Sequence, residues 1–327
     1  MKYELSIIIK ALNEEVNIER AIKSCIKETK GIKSEIILAD SLSRDKTIEI
    51  AKKYPIKIVQ LTNKKERSCG VGPQLGYQYS NGKYIYILDG DMELRPNFLK
   101  EAIKILEKEK QLAGIAGSVV EKRAVNIVFK RRKEEKTKNL EYTDKLEMGG
   151  LYKREAIESI NYFSDRNLHA YEEAELGYRL IDKGWKLKRI STKSINHYGY
   201  NTTSFGVFKK RWKTRYVKGA GEFLRSSIGK KFFFKTVWHM KIYLSVILWW
   251  ILLIASICLI RITPVIIEGF GILSIILLIM FLIKKRNLKE FAFSLVSWHY
   301  SSIGILWGLV TPQRNPKDNI PSKEIKK

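Results

Sequence analysis

Two carboxylates separated by a single glycine, Asp89-Gly90-Asp91, close the apolar run Tyr84-Ile85-Tyr86-Ile87-Leu88. A short uninterrupted run of β-branched and aromatic residues reads as a buried strand. Hard oxygen ligands at such a strand's C-terminal edge suit a divalent cation carrying a diphosphate. The intervening glycine lets the backbone approach a ligand closely. Asp-Gly-Asp is also ordinary turn chemistry, so the turn alone leaves a metal site and a plain loop both open. A second acidic group, Glu172-Glu173, sits in Tyr171-Glu172-Glu173-Ala174-Glu175-Leu176-Gly177-Tyr178-Arg179. A carboxylate poised over a bound substrate can take the proton from an attacking hydroxyl; glutamates at a helix start also serve the helix dipole. Adjacent residues of a helix do not share a face. One of the pair is therefore expected in a cleft while the other caps the helix or pairs with Arg179. His197, in Ile195-Asn196-His197-Tyr198-Gly199, is either structural, as a lone histidine usually is, or the nitrogen ligand that the aspartate pair lacks.

These groups need a frame, and the first hundred residues supply alternating strand and helix signals. Strands are expected over residues 5–9, 35–39, 56–61 and 84–88. Asn13-Glu14-Glu15 is a helix-start signature ahead of Val16, Ile18, Ala21, Ile22, Cys25 and Ile26. Ser43-Arg44-Asp45-Lys46-Thr47 opens a second helix, and residues 68–82 contain a third. Such alternation implies a parallel sheet covered on both faces. Ligands of those sheets bind beyond the carboxyl ends of the strands, where Asn13, Asp40 and Asp89 all fall. Further on, Lys130-Arg131-Arg132-Lys133-Glu134-Glu135-Lys136 is either a solvated helix face or a basic element near an anionic partner, and Met148-Gly149-Gly150-Leu151-Tyr152 reads as a tight passage into another helix.

The C-terminal third differs. Residues 242–260 carry no formal charge, and residues 262–283 are broken only by Glu268, Gly269 and Gly271. Nineteen residues of helix span about 28 Å, close to a bilayer's hydrocarbon thickness. The two runs predict a membrane hairpin. A third run, 291–310, carries Ser294, Ser297, His299, Ser301 and Ser302 and is either a third span or an interfacial helix anchored by Trp298 and Trp307. Lysines and arginines flank the hairpin, among them Lys230, Lys231, Lys235 and Lys241 before it and Lys284, Lys285, Arg286 and Lys289 after it. By the positive-inside bias the N-terminal domain is expected on the cytoplasmic face of a multi-pass membrane protein. The opening Met1-Lys2-Tyr3-Glu4, followed at once by a strand, predicts no signal peptide. Cys25, Cys69 and Cys258 have no metal-ligand spacing and fit reduced thiols. A net charge of +26 with no nucleic-acid motif points to anionic membrane lipids and away from nucleic acid. Arg211-Trp212-Lys213-Thr214-Arg215-Tyr216, a basic stretch interleaved with aromatics, reads as a membrane-proximal amphipathic helix whose long cations snorkel.

Taken in order, these motifs resemble family 2 glycosyltransferases, an inverting family with the GT-A nucleotide-diphospho-sugar transferase fold, an α/β architecture with a mostly parallel sheet. Ser6-Ile7-Ile8-Ile9-Lys10-Ala11-Leu12-Asn13-Glu14-Glu15 resembles the family's first strand and Asn-Glu turn. Ala39-Asp40-Ser41-Leu42-Ser43-Arg44-Asp45 resembles its acidic turn, with Asp40 at the position that contacts the nucleotide base. Ile87-Leu88-Asp89-Gly90-Asp91 corresponds to its metal-binding Asp-x-Asp, and Glu172-Glu173 stands where the family has Glu-Asp, with the second member as catalytic base. Ser41 and Glu173 both replace an aspartate. Arg211-Trp212 faintly resembles the Gln-x-x-Arg-Trp of processive members, but Phe208 replaces the glutamine, which implies one sugar added per acceptor. The resemblance implies donor binding by Asn13, Glu14, Asp40 and Asp89, to which Arg67 is added as a candidate phosphate or base contact, and Mg²⁺ or Mn²⁺ held by Asp91 and Asp89, to which His197 is added as the candidate nitrogen ligand. It further implies catalysis by Glu173 with Glu172, and a lipid-linked or membrane-associated glycan acceptor. The expected layout is a catalytic domain over 1–225, a membrane-associated region over 226–310 and a basic tail over 311–327. The rival from another class is a haloacid-dehalogenase-type phosphatase with Asp89 as nucleophile. Such enzymes carry Thr or Val where this chain has Glu93, on the first strand and not a later one.

Overall fold

A computed structural model describes residues 2–122, 127, 141–147, 149–199, 202–259 and 265–326. The charged stretch from Lys130 to Lys136, Met148 of the glycine passage, and Arg261 and Pro264 between the two apolar runs lie outside the described residues. The chain divides into two compact units, residues 1–202 with 312–327, and residues 203–311.

The first unit runs β1 (Tyr3–Ala11), α1 (Ile18–Glu28), β2 (Ser34–Asp40), α2 (Thr47–Ala51), β3 (Lys57–Leu61), α3 (Val71–Gln78), β4 (Gly82–Asp89), β5 (Met92–Leu94), α4 (Phe98–Lys108) and β6 (Leu112–Glu121). It continues through β7 (Gly150–Lys153), α5 (Arg154–Glu158), α6 (Glu172–Asp182) and β8 (Lys186–His197) and ends with β9 (Ser322–Lys326). The strand order is β5-β8-β6-β7-β4-β1-β2-β3-β9. Leu5, Ile7, Ile8 and Ile9 are all buried, as both faces of a covered strand demand. Ile7 and Ile9 pack with Ile22 of α1 and Phe98 of α4, whereas Ile8 packs on the opposite face with Leu75 of α3 and Phe163. Helix α1 buries Ile18, Ala21, Ile22 and Cys25, one stripe at helical spacing.

Strands β4, β1, β2 and β3 are parallel, while β7 joins β4 and β6 antiparallel and β5 joins β8 antiparallel. The sheet is thus more mixed than strand–helix alternation implies. The parallel register pairs Lys10 with Asp89 and Ala11 with Asp40, so the three strand ends are level. The glycine passage leads into β7 before a short helix, and Gly149 has φ +83°, a backbone conformation that favours glycine.

Residues 312–326 belong to the sheet unit. Strand β9 runs antiparallel along β3 and covers an edge that would otherwise be unpaired. Arg314 pairs with the buried Glu66, which Arg166 also holds at 2.6 Å. Arg166 in turn donates to the Asp318 carbonyl at 3.0 Å. The segment expected as a basic tail is therefore an edge strand whose Arg314 reaches the buried Glu66–Arg166 pair.

The second unit contains α7 (Gly206–Lys213), α8 (Gly219–Ser226), α9 (Phe233–His239), α10 (Lys241–Cys258), α11 (Val265–Lys285) and α12 (Leu288–Val310). The compact units divide near 202, upstream of the expected 225. Phe208 of α7 explains part of that difference, because it stacks on Phe293 and Tyr300 of α12 at 5.1 and 5.0 Å. Trp212 packs beside it on Tyr300 and Trp307. Helices α10 and α11 are long and apolar enough to cross a membrane. Helix α12 approaches α8 and the turn before it closely through glycines: a Cβ at Gly221 of α8 would fall on the Ile305 carbonyl, one at Gly304 on that of Val217, and one at Gly308 on that of Lys218. Gly304→Ala is accordingly expected to destabilise this unit by about 1–3 kcal/mol, read as a lower melting temperature of the detergent-solubilised protein.

Candidate active site

The loops after β1 and β2 are tied together. Asn13 takes φ +58°, its N–H donates to Ser43 Oγ at 2.8 Å, and its Oδ1 accepts from the Arg44 N–H at 2.8 Å. The Glu14 N–H donates to Thr47 Oγ1 at 2.7 Å and that of Glu15 to Asp45 Oδ2 at 3.0 Å. Asp40, at the end of β2, is fully buried. Its Oδ2 accepts from the Ser43 N–H and from Gln60 Nε2, both at 2.9 Å. Its Oδ1 has no hydrogen-bond partner among the described residues. A buried carboxylate oxygen left so is costly, and the cost is relieved by a ligand that brings an N–H or O–H. Arg67 braces the same loop, donating from Nε to the Ser41 carbonyl at 2.7 Å and from Nη2 to that of Leu42.

One strand over, the Asp89-Gly90-Asp91 turn is fastened to β1 by the Gly90 N–H, which donates to the Lys10 carbonyl at 2.9 Å. A Cβ at Gly90 would lie 2.8 Å from Glu14 Cγ, so glycine lets Glu14 lie against the turn. Asp91 faces His197, with Oδ2 3.3 Å from Nε2. The other ring nitrogen, Nδ1, is 2.6 Å from Glu121 Oε2, whose side chain is 1% exposed. Register explains this meeting of distant residues: β5 pairs Met92 with His197, and β6 pairs Glu121 with His197. Burial alone would lower the pKa of His197, but hydrogen bonds and charge from Asp91 and Glu121 raise it to about 9. Burial likewise opposes ionisation of Asp91, yet His197 and Lys10 hold its pKa below the ordinary carboxylate value.

Lys10 joins the two acidic groups. Its Nζ lies 3.0 Å from Asp89 Oδ1 and 3.5 Å from Glu172 Oε1. Helix α6 begins at Glu172, after Tyr171 at φ +68°. Glu172 and Glu173 both line a narrow cleft with Lys10, Tyr152, Phe163 and Ser164. Adjacency on the helix was expected to separate them; at the first turn, both reach the cleft. Arg179 pairs with neither: its Nε lies 2.7 Å from Glu175, which is fully buried. Burial raises the pKa of Glu173 to about 7, against the pull of Lys10 and with the repulsion of Glu172 and Asp89. A carboxyl titrating near neutrality is tuned for general-base work.

Sequence reasoning passed over Lys10 and Glu121. A lone lysine ending an otherwise apolar strand was a signal for the first. The second had none, since β6–β8 pairing alone brings it to His197.

Residues 6–160 match the family model described as glycosyl transferase family 2. A dolichol-phosphate mannosyltransferase of Pyrococcus furiosus is 26% identical over 114 residues, covering 34% of this chain and 32% of that protein. A cholesterol galactosyltransferase of Borreliella burgdorferi is 31% identical over 101 residues, covering 30% and 28%. The chain thus spans about a third of the length of the curated relatives it matches. Among solved structures, S. aureus TarS 1–349 in complex with UDP-GlcNAc superposes with a TM-score of 0.50 at 14% identity, over 70% of this chain and 74% of that one. Sheet topology, strand-end carboxylates and family match agree: this chain carries a glycosyl transferase family 2 domain with the GT-A fold.

Proposed function

We propose that this protein transfers one sugar from a nucleotide-sugar donor to a lipid-linked or membrane-associated glycan acceptor, with inversion and with a divalent cation, at the cytoplasmic face of a membrane. The observation that carries the reading is the shared cleft, in which one lysine bridges the Asp-x-Asp turn and a glutamate pair whose second member titrates near neutrality. The phosphatase alternative is set aside because Asp89 lies inside the segment matched by the glycosyltransferase family.

In this reading the unpartnered oxygen of Asp40 accepts from the donor base, while the Asn13 and Glu14 turn, braced by Arg67, shapes the pocket for base and ribose. Asp91 Oδ2 and His197 Nε2 are 3.3 Å apart, a separation that two ligands of one cation can adopt. Glu121 behind the imidazole is the second carboxylate that orients such ligands. Among the described residues no group of three or more such side chains forms a cage, so the donor diphosphate and water would complete the coordination of Mg²⁺ or Mn²⁺. When bound, the cation neutralises charge on the departing diphosphate. Glu173 takes the proton of the acceptor hydroxyl, whose oxygen bonds to the anomeric carbon from the face opposite the diphosphate. The anomeric carbon–oxygen bond to phosphate breaks in the same displacement. Lys10, 3.0 Å from Asp89 and 3.5 Å from Glu172, holds the two acidic groups side by side. The apolar helices α10 and α11 and two relatives whose names specify lipid acceptors support the membrane placement.

The test is to incubate membranes containing the protein with UDP-, GDP- and dTDP-sugars and to measure released nucleotide. Cation-dependent release from one donor is expected; release from none would overturn the reading. A narrower prediction concerns Asp40→Asn, which replaces one carboxylate oxygen with a donor. It is expected to weaken nucleotide binding by about 1–3 kcal/mol, measured by calorimetric titration.

A further inference from the structure

Between Thr202 and Pro312 the chain leaves the sheet unit and later returns to it. The return is structural: β9 hydrogen-bonds along β3 from Ser322 to Lys326, and the Arg314–Glu66 and Arg166–Asp318 contacts secure the segment before it. A folded body occupies one side of a membrane. Any path that leaves and rejoins it therefore crosses the bilayer an even number of times. Three helices of 18 or more residues lie on that path, α10, α11 and α12, and an odd total is excluded.

Contacts inside the second unit identify the helix that does not cross. At about 1.5 Å per residue, Phe281 of α11 lies about 6 Å from that helix's C-terminal end, and Tyr243 and Trp250 of α10 lie about 3 and 13 Å from its start. In a hairpin these ends belong to one side. Phe291 and Trp298 of α12 both pack on Phe281, at 5.3 and 4.5 Å between ring centroids. His299 accepts from Trp250 Nε1 at 3.0 Å, and Ser302 Oγ donates to the Tyr243 carbonyl at 2.9 Å. A helix descending beside the hairpin would meet the far end of α10 by residue 302. Instead α12 rises back to its start, and Gly304 and Gly308 then pack against Val217, Lys218 and α8. The surface that precedes α10 suits the same level. Ile228, Phe234 and Trp238 are 62, 80 and 69% exposed, the Lys241 ammonium stacks 3.8 Å from the Trp238 ring centre, and Lys231 and Lys235 lie among them. One residue separates α9 from α10, so this aromatic and cationic surface meets the bilayer where α10 enters it.

We infer that the chain crosses the membrane twice, through α10 and α11 alone, and that α12 stays on the side of the sheet unit with the α9 surface against the lipid headgroups. The inference rests on the membrane placement proposed above and is independent of the sugar-transfer chemistry.

The full chain in sealed membrane vesicles of both orientations tests it. In a background with Cys69 and Cys258 replaced by serine and the buried Cys25 left in place, single cysteines are introduced as Asn287→Cys, Lys289→Cys, Asn315→Cys, Lys317→Cys and Thr263→Cys. A membrane-impermeant maleimide is expected to label positions 287, 289, 315 and 317 from one face and position 263 from the other, the unsubstituted background giving the blank. Labelling of 315 and 317 from the face opposite 287 and 289 would mean that α12 crosses, and would overturn the inference. Labelling of 263 from the same face as 287 would mean that the hairpin does not cross, and would equally overturn it. Two positions on each side of α12 keep the result readable if one variant fails to fold. Nucleotide release measured on the same vesicles reports separately on the proposed activity.

Discussion

Glu173→Gln is expected to lower kcat by about 10²–10⁴-fold while leaving donor binding intact, because it removes a general base and keeps the side chain's shape. Single-turnover transfer and nucleotide titration on the same preparation separate the two effects. Transfer at the wild-type rate would remove Glu173 from the mechanism. Its pKa of about 7 adds a sign: the base form accumulates as pH rises, so kcat should climb across neutrality and level off above it. Lys10 draws that pKa downward, so Lys10→Met should shift the rising limb to higher pH and Lys10→Arg should largely restore it. A lysine that served only to fill space would leave the limb where it is.

Asp91→Ala should abolish the cation requirement together with most of the turnover. A bound cation contributes several kcal/mol to such a displacement, which at about 1.4 kcal/mol per tenfold is on the order of 10²–10³-fold. Titrating Mn²⁺ against nucleotide release reads both. Glu121→Gln leaves Asp91 and His197 in place but weakens the hydrogen bond that orients the imidazole. It should cost about 10–100-fold in cation affinity, with less effect at saturation. His197 carries its proton up to about pH 9 in the metal-free protein, and a metal must displace that proton. Cation affinity should therefore rise with pH towards 9, with proton release visible as a buffer-dependent calorimetric heat. Affinity independent of pH would take His197 out of the coordination.

Much of the candidate site's strand-end edge was legible in the chain itself. An apolar strand followed by Asp-Gly-Asp, with Asn13 and Asp40 at the ends of two earlier apolar runs, specifies a parallel core with polar groups along one edge, because burial and periodicity are local properties. The two apolar helices were legible for the same reason. What the sequence left open depended on pairing at long range. Glu121 reaches His197 only through β6–β8 register, Lys10 reaches Glu172 only once α6 is docked beside β1, and Arg179 selects Glu175 because burial of both makes that pair the one worth forming. The C-terminal segment carries the same lesson. Its composition reads as a basic tail, and only the edge of β3 turns it into a strand. Residue type determined what chemistry this protein could hold at its strand ends. Tertiary structure decided which carboxylates share an imidazole, which share a lysine, and to which body the chain returns after its apolar helices, since each of those depends on distance in space and not along the chain.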